Sequence, residues 1–95
     1  MAAYLILEMN YKTQEWVADY RANVPSIVGR CGGKYLARTL EAEVLEGENP
    51  ASDVVGIVEF ASIESAKAFL EDPQYQPYRL ARQAGATTRI TAIAS

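Results

Sequence analysis

The run Cys31-Gly-Gly-Lys-Tyr-Leu-Ala-Arg38 constrains the fold of this chain more than any other part of its sequence. Two adjacent glycines end a helix at low cost, because glycine adopts the left-handed backbone conformation with which many helices finish. The residues after them alternate in the manner of a strand and include an arginine. The run therefore predicts a change from helix to strand at Gly32-Gly33 that brings polar side chains into a sheet.

The apolar pattern on either side of this run predicts the order βαββαβ. Thr13 and Ser62 are expected to cap the two main helices, and Pro25 predicts a kink or a break in the first helix near Asn23. The predicted strands cover 4–9, 34–45, 54–60 and 89–94, and the predicted helices run from Thr13 to Gly32-Gly33, from Ser62 to Asp72-Pro73 and, as a short third piece, over 74–84.

Two strand-helix-strand units of this size fold most economically as a ferredoxin-like antiparallel sheet with both helices on one face. With 95 residues, the chain is expected to form one α+β domain over 1–95. Leu5-Ile6-Leu7 and Val54-Val55 are apolar on both sides of their strands, so the face without helices also needs cover. A second copy of the chain is the expected cover, which predicts a homodimer through the sheet faces.

Composition excludes several classes of function. The chain has no histidine and a single cysteine, so histidine-dependent triads, histidine-ligated haem and Cys/His zinc sites cannot be built from it. No metal and no cofactor are therefore expected. A net charge of −3 with scattered basic residues predicts no nucleic-acid partner. The sequence lacks a signal peptide and a long apolar run, which predicts no membrane partner and a cytoplasmic location.

Two arginines are the leading candidates for a binding site. Arg38 lies on the second predicted strand, and Arg82 shares a helix face with Tyr75. If both point into the cleft between sheet and helices, they would bind a carboxylate, an enolate or another small anion. The alternative is structural: each arginine pairs with an acid such as Glu46 or Glu59 and only supports the fold.

Glu59 is the candidate for proton transfer. It lies on the most apolar predicted strand, where partial burial would raise its pKa and suit it to act as a general acid or base. A salt bridge to an arginine would have the opposite effect on that pKa.

Aromatic side chains supply further candidate ligand contacts. Trp16 and Tyr20 are one helical turn apart and would either roof an aromatic-lined pocket or belong to the core. Tyr35 is another candidate. Because Tyr35 and Arg38 are three residues apart, strand alternation predicts that they face opposite sides of the sheet and that at most one lines a given pocket.

An ordered set of short motifs over nearly the whole chain resembles the bacterial domain of unknown function family 1330, within the dimeric α+β barrel superfamily. The resemblance implies a dimeric barrel fold, similar to that of cofactor-free monooxygenases, small lactone isomerases and haem-degrading proteins, and no established reaction. Ala61 departs from the family's usual Phe-Pro-Ser. The matching residues are Tyr4-Leu-Ile, Tyr20, Pro25, Gly32-Gly33-Lys-Tyr-Leu-Ala-Arg38, Leu45-Glu-Gly47, Glu59-Phe-Ala-Ser62, Ala66, Pro73-Gln-Tyr-Gln76 and Arg82.

Two functions are consistent with these features. The first is a cofactor-independent enzyme that acts on a small anionic or aromatic molecule in a pocket between sheet and helices, with Arg38 and Arg82 as anion binders and Glu59 as proton carrier. The second is a non-catalytic small-molecule binding or interaction module with a structural dimer, in which the same residues support the fold.

Overall fold

The computed structural model describes residues 2–95 and confirms the predicted α+β class. The strands and helices follow the predicted order, with the third helical piece forming a separate helix. The elements are β1 (Ala3–Tyr11), α1 (Val17–Arg30), β2 (Lys34–Thr39), β3 (Val54–Phe60), α2 (Ile63–Leu70), α3 (Gln76–Gly85) and β4 (Ala86–Ala94).

The four strands form one antiparallel sheet in the order β2-β3-β1-β4. Pairing of Leu5 with Val58 and of Met9 with Val54 places buried side chains from β1 and β3 on the same face. We call this the inner face, because α1 and α2 pack against it. The core between them is formed by Leu5, Val24, Ile27, Val28, Val58, Phe60, Ala66, Phe69 and Tyr75.

The junction between α1 and β2 is the predicted change from helix to strand. Gly32 has a φ of +85°, in the left-handed region, and the amide of Gly33 donates to the Val28 carbonyl at 2.8 Å. Gly33 is also required for space, since a Cβ there would lie 2.7 Å from atoms of both Phe60 and Val28. The two glycines thus have separate roles: Gly32 turns the chain with a positive φ, and Gly33 leaves room for the core side chains of Phe60 and Val28.

The start of α1 differs from the prediction, because Thr13 is not its N-cap. The helix begins at Val17 after Trp16, without a side-chain cap. The amides of Lys12 and Thr13 both donate to the Gly85 carbonyl, at 2.8 and 3.0 Å, and the Thr13 carbonyl accepts from the Trp16 indole at 2.9 Å. These bonds hold the segment before the helix in a turn against the end of α3, so the helix starts later.

Pro25 does not divide α1, so of the kink or break predicted near Asn23, the break is wrong. The helix continues through the proline to Arg30. The carbonyl of Arg21 loses its usual amide partner. Both Arg21 and Pro25 are exposed, so water can satisfy that carbonyl without ending the helix.

Strand β2 ends earlier than predicted, at Thr39 rather than near Leu45. The Thr39 hydroxyl accepts from the amide of Glu41 at 2.9 Å, which turns the chain away from the sheet edge. Residues 40–53 contain no helix or strand. This segment exposes apolar side chains, and Leu45 has 89% of its surface accessible.

Substituting Gly33 by alanine tests the packing at this junction. The added methyl group must displace Phe60 or Val28, so we expect a loss of about 1–3 kcal/mol in the free energy of unfolding. Gly29→Ala is the matched control, since nothing lies within 4 Å of its Cβ position in α1. It should stabilise the protein by about 0.5–1 kcal/mol. Urea denaturation measures both changes, and equal effects of the two substitutions would contradict this account of the junction.

Candidate functional site

A cavity lies between the inner face of the sheet and the helices. Its inner part has a volume of about 60 Å³, and it opens to solvent beside Arg21, Tyr35 and Arg38, which line it and are exposed. Most of its lining is apolar, and among residues 2–95 no Asp or Glu contributes to it. Its charged or hydroxyl-bearing lining side chains are Tyr11, Tyr20, Arg21, Tyr35, Arg38 and Tyr75.

Gly56 on β3 helps to leave this space open. A Cβ at Gly56 would meet only ordinary contacts, the nearest being the Ala37 carbonyl at 3.7 Å and the Leu7 side chain at 4.0 Å. A larger side chain at this position is therefore compatible with the backbone. It would extend into the cavity, because Gly56 belongs to the lining.

Tyr35 and Arg38 both line the cavity, so the prediction that they face opposite sides of the sheet is wrong. Tyr35 pairs with Val58, and Arg38 pairs with Gly56, two residues away on β3. The register shifts between Tyr35 and Ala37, so β2 contains one residue more than its partner. This irregularity reverses the alternation and returns both side chains to the inner face.

Tyrosine side chains are grouped on the cavity wall. The Tyr20 and Tyr75 hydroxyl oxygens are 2.7 Å apart, and both residues line the cavity. Burial raises the pKa of Tyr20, and the adjacent Tyr75 raises it further, so Tyr20 remains neutral at physiological pH. Burial also raises the pKa of Tyr35, while the nearby Arg38 guanidinium opposes that change.

Trp16 and Tyr20 combine the two predicted roles of pocket wall and core. The rings meet edge to face with their centroids 5.5 Å apart, and both residues line the cavity. Tyr20 also packs against the core cluster described above. Behind it, the rings of Tyr75 and Phe69 stack with their centroids 4.4 Å apart. The aromatic wall is therefore continuous with the core, which restricts its movement.

Arg82 lies behind the cavity wall rather than in the lining. Only 4% of its surface is exposed, and its Nε donates to the Tyr75 hydroxyl at 3.2 Å. Tyr75 in turn contacts Tyr20. The structure thus brings Arg82, Tyr75 and Tyr20 together, but connects Arg82 to the cavity only through hydroxyl groups.

Glu59 lies on the outer face of the sheet, opposite the helices. Its neighbours across the strands are Tyr4 and Lys34, and it does not line the cavity. The structure therefore separates Glu59 from Arg38 and Arg82.

Neither candidate arginine pairs with an acid in the described part of the chain, 2–95. Arg38 and Arg82 therefore do not make the ion pairs with Glu46 or Glu59 that the structural alternative requires. The ion pairs within 2–95 are Arg30–Asp72 and Arg79–Glu71.

Arg21 is a lining residue that the sequence reasoning missed. It follows Tyr20 directly and lies on α1 at a spacing of four from Val17 and Pro25, which also line the cavity. That spacing places the three residues along one side of the helix. Helical periodicity could therefore have identified Arg21, although its exposure would have favoured interpretation as a solvated surface charge.

The fold is the α+β ferredoxin-like fold of the dimeric α+β barrel type. The chain belongs to the family described as domain of unknown function DUF1330, whose model matches residues 2–95. A comparison with curated proteins gives no match. Within 2–95, no helix is long and apolar enough to cross a membrane.

Two solved structures illustrate the shared fold. A protein of unknown function from Rhodopseudomonas palustris is 21% identical, with a TM-score of 0.82, and the match covers 99% of this chain and 82% of that one. SnoaB, a cofactor-independent oxygenase from Streptomyces nogalater, is 15% identical, with a TM-score of 0.71, covering 99% of this chain and 92% of that one.

Proposed function

We propose that this protein binds a small organic anion with an aromatic or aliphatic body in the cavity and acts on it without a cofactor. One observation carries the proposal: in a chain of net charge −3, the apolar cavity has Arg21 and Arg38 in its lining and no acidic side chain among the described residues that line it. Apolar walls favour the body of such a ligand, and guanidinium groups favour its anionic group.

The lining also limits the chemistry. The described lining residues include no carboxylate and no imidazole. Tyr20 and Tyr35 have raised pKa values, so neither suits a general base at neutral pH. The substrate must therefore ionise by itself, as acidic phenols and enols do. Glu59 has no part in this chemistry, because it lies across the sheet from the cavity.

Reaction of the bound anion with dioxygen suits such a site. An electron-rich carbon of the phenolate or enolate forms a C–O bond to dioxygen, and a proton from water converts the product to a hydroperoxide. Cleavage of its O–O bond with loss of the proton on the same carbon then releases water and leaves a new carbonyl group, so dioxygen is the oxidant and its second oxygen atom leaves as water. The shared fold with SnoaB, a cofactor-independent oxygenase, supports this class of reaction. The absence of a base from the lining within 2–95 also favours a second candidate function, in which the protein binds the anion without chemistry.

Oxygen-electrode measurements with a panel of acidic phenols and enols distinguish the two functions. Oxygen uptake that requires the folded protein supports the enzyme, and binding without uptake supports the second candidate.

Substituting Arg38 by methionine should weaken binding of small benzoates and phenolates about tenfold, because a hydrogen bond or ion pair to a charged group is lost. Binding of neutral compounds of the same shape should stay nearly unchanged. Isothermal titration calorimetry measures both affinities.

Two further variants complete this experiment. Lys67→Met removes a positive charge from the exposed surface of α2 and should leave the affinities unchanged. Gly56→Val should abolish binding of both kinds of ligand by filling the cavity. If wild-type protein binds neither benzoates nor phenolates, the proposed function is wrong.

We also propose that the outer face of the sheet forms a homodimer. Ile6 and Ile57 are direct neighbours on this face, and Ile93, which pairs with Tyr4 on the same face, is 49% exposed. Within the described part of one chain, no helix covers these side chains, and apolar sheet faces of this kind pack against each other. Membership of the dimeric barrel fold class supports the same assembly.

Ile57→Glu should convert the dimer to a folded monomer at micromolar concentration, because two charged groups would face each other in the apolar contact. Light scattering after size-exclusion chromatography gives the mass, and circular dichroism checks the fold. Lys67→Glu, an exposed change on α2, should stay dimeric. A monomeric wild-type protein, or a dimeric Ile57→Glu variant, would contradict the proposed interface.

A further inference from the structure

Arg82 is a buried cation without an acidic partner in the described residues. It is 4% exposed, and no carboxylate within 2–95 lies at salt-bridge distance from it. Buried charges in proteins are normally paired, because their desolvation is costly. Within 2–95, the Arg82 side chain donates a hydrogen bond to the hydroxyl of Tyr75.

The direction of the hydrogen bonds follows from the number of protons. A guanidinium can only donate, so the Tyr75 oxygen accepts from Arg82 Nε. Within 2–95, the other partner of the Tyr75 hydroxyl is Tyr20, at 2.7 Å. Tyr75 also lines the cavity, but it is only 1% exposed, so its hydroxyl proton is directed to Tyr20, the acceptor within hydrogen-bonding distance in the described residues.

Tyr20 then accepts from Tyr75 and keeps its own proton available. Tyr20 is half-buried and lines the cavity, where a bound molecule can accept this proton. The positive charge of Arg82 reinforces the same direction, because it favours a Tyr75 proton that points away from the guanidinium. Hydrogen bonds in such a chain polarise one another in a low-dielectric interior.

We propose that Arg82, Tyr75 and Tyr20 form a directed chain that makes the Tyr20 hydroxyl the donor for the oxyanion of the bound ligand. Arg82 and Tyr75 are positioning residues in this chain, and Tyr20 contacts the ligand. The inference rests on the proposed function and deepens it: the ligand is bound as the anion of an acidic hydroxyl compound. The raised pKa of Tyr20 agrees with its keeping a proton to donate.

The pKa of a bound phenol measures this directly. The two protonation states of para-nitrophenol differ in absorbance, so a pH titration in the presence of saturating protein gives the pKa of the ligand in the complex. In wild-type protein we expect this pKa to lie below that of the ligand in water. Tyr20→Phe, Tyr75→Phe and Arg82→Met should each reduce the preference for phenolate over phenol about tenfold, which raises the bound pKa by about one unit.

A double variant distinguishes a connected hydrogen-bond chain from residues that affect the bound pKa independently. The double variant Tyr75→Phe/Arg82→Met should shift the bound pKa no further than either single variant, because each interrupts the same chain. Tyr78→Phe is the matched control: its ring packs edge to face on Tyr20 with centroids 6.5 Å apart, outside the chain, and it should leave the bound pKa unchanged. Thermal unfolding shows which variants are folded.

The outcomes distinguish this inference from the proposed function. No binding of para-nitrophenol or any other phenol or benzoate by wild-type protein would overturn both. Binding by wild-type protein, with Tyr75→Phe leaving the phenolate preference within twofold of the wild-type value, would overturn the chain alone. If Arg82→Met does not fold, Tyr75→Phe decides, because it retains Arg82 and removes only the connecting hydroxyl.

Discussion

The contact of Gly33 with Phe60 and Val28 sets the position of α1 over the sheet. Because no side chain stands at Gly33, the end of the helix and the middle of the core meet at van der Waals distance, and the chain turns directly into β2. This places one side of α1 opposite the inner face at a fixed separation. The cavity between them follows from that separation and from the missing side chain at Gly56.

Much of this architecture could be predicted from local sequence patterns. The apolar, β-branched run Val-Val-Gly-Ile-Val-Glu-Phe predicted a strand over 54–60, and the structure places one face of that strand in the core. The Ser62 hydroxyl accepts from the amide of Ser65 at 3.1 Å, as expected for the N-cap of α2. Gly32-Gly33 indicated the helix end correctly, because the left-handed turn is a property of the residues themselves.

The parts of the site that local patterns missed depend on distant contacts. The register shift in β2 depends on pairing with β3, and no residue type in the stretch between Tyr35 and Arg38 signals it. The shift nevertheless decides that both side chains reach the cavity. In the same way, Thr13 is held by the carbonyl of Gly85, seventy-two positions along the chain, and so fails to cap α1. Alternation and capping rules treat each segment alone and cannot include such contacts.

Charged side chains are distributed unevenly around the cavity. The chain has a net charge of −3, yet within 2–95 its cavity is lined by two arginines and by no Asp or Glu. A third arginine is buried behind the tyrosines. We therefore propose that the cavity binds an organic anion. A crystal structure of the complex with para-bromophenol, soaked at a pH where the phenol is ionised, tests it most directly. We expect bromine scattering inside the cavity and the phenolate oxygen within hydrogen-bonding distance of the Tyr20 hydroxyl. An empty cavity at saturating ligand, with bromine only on the outer surface, would contradict it.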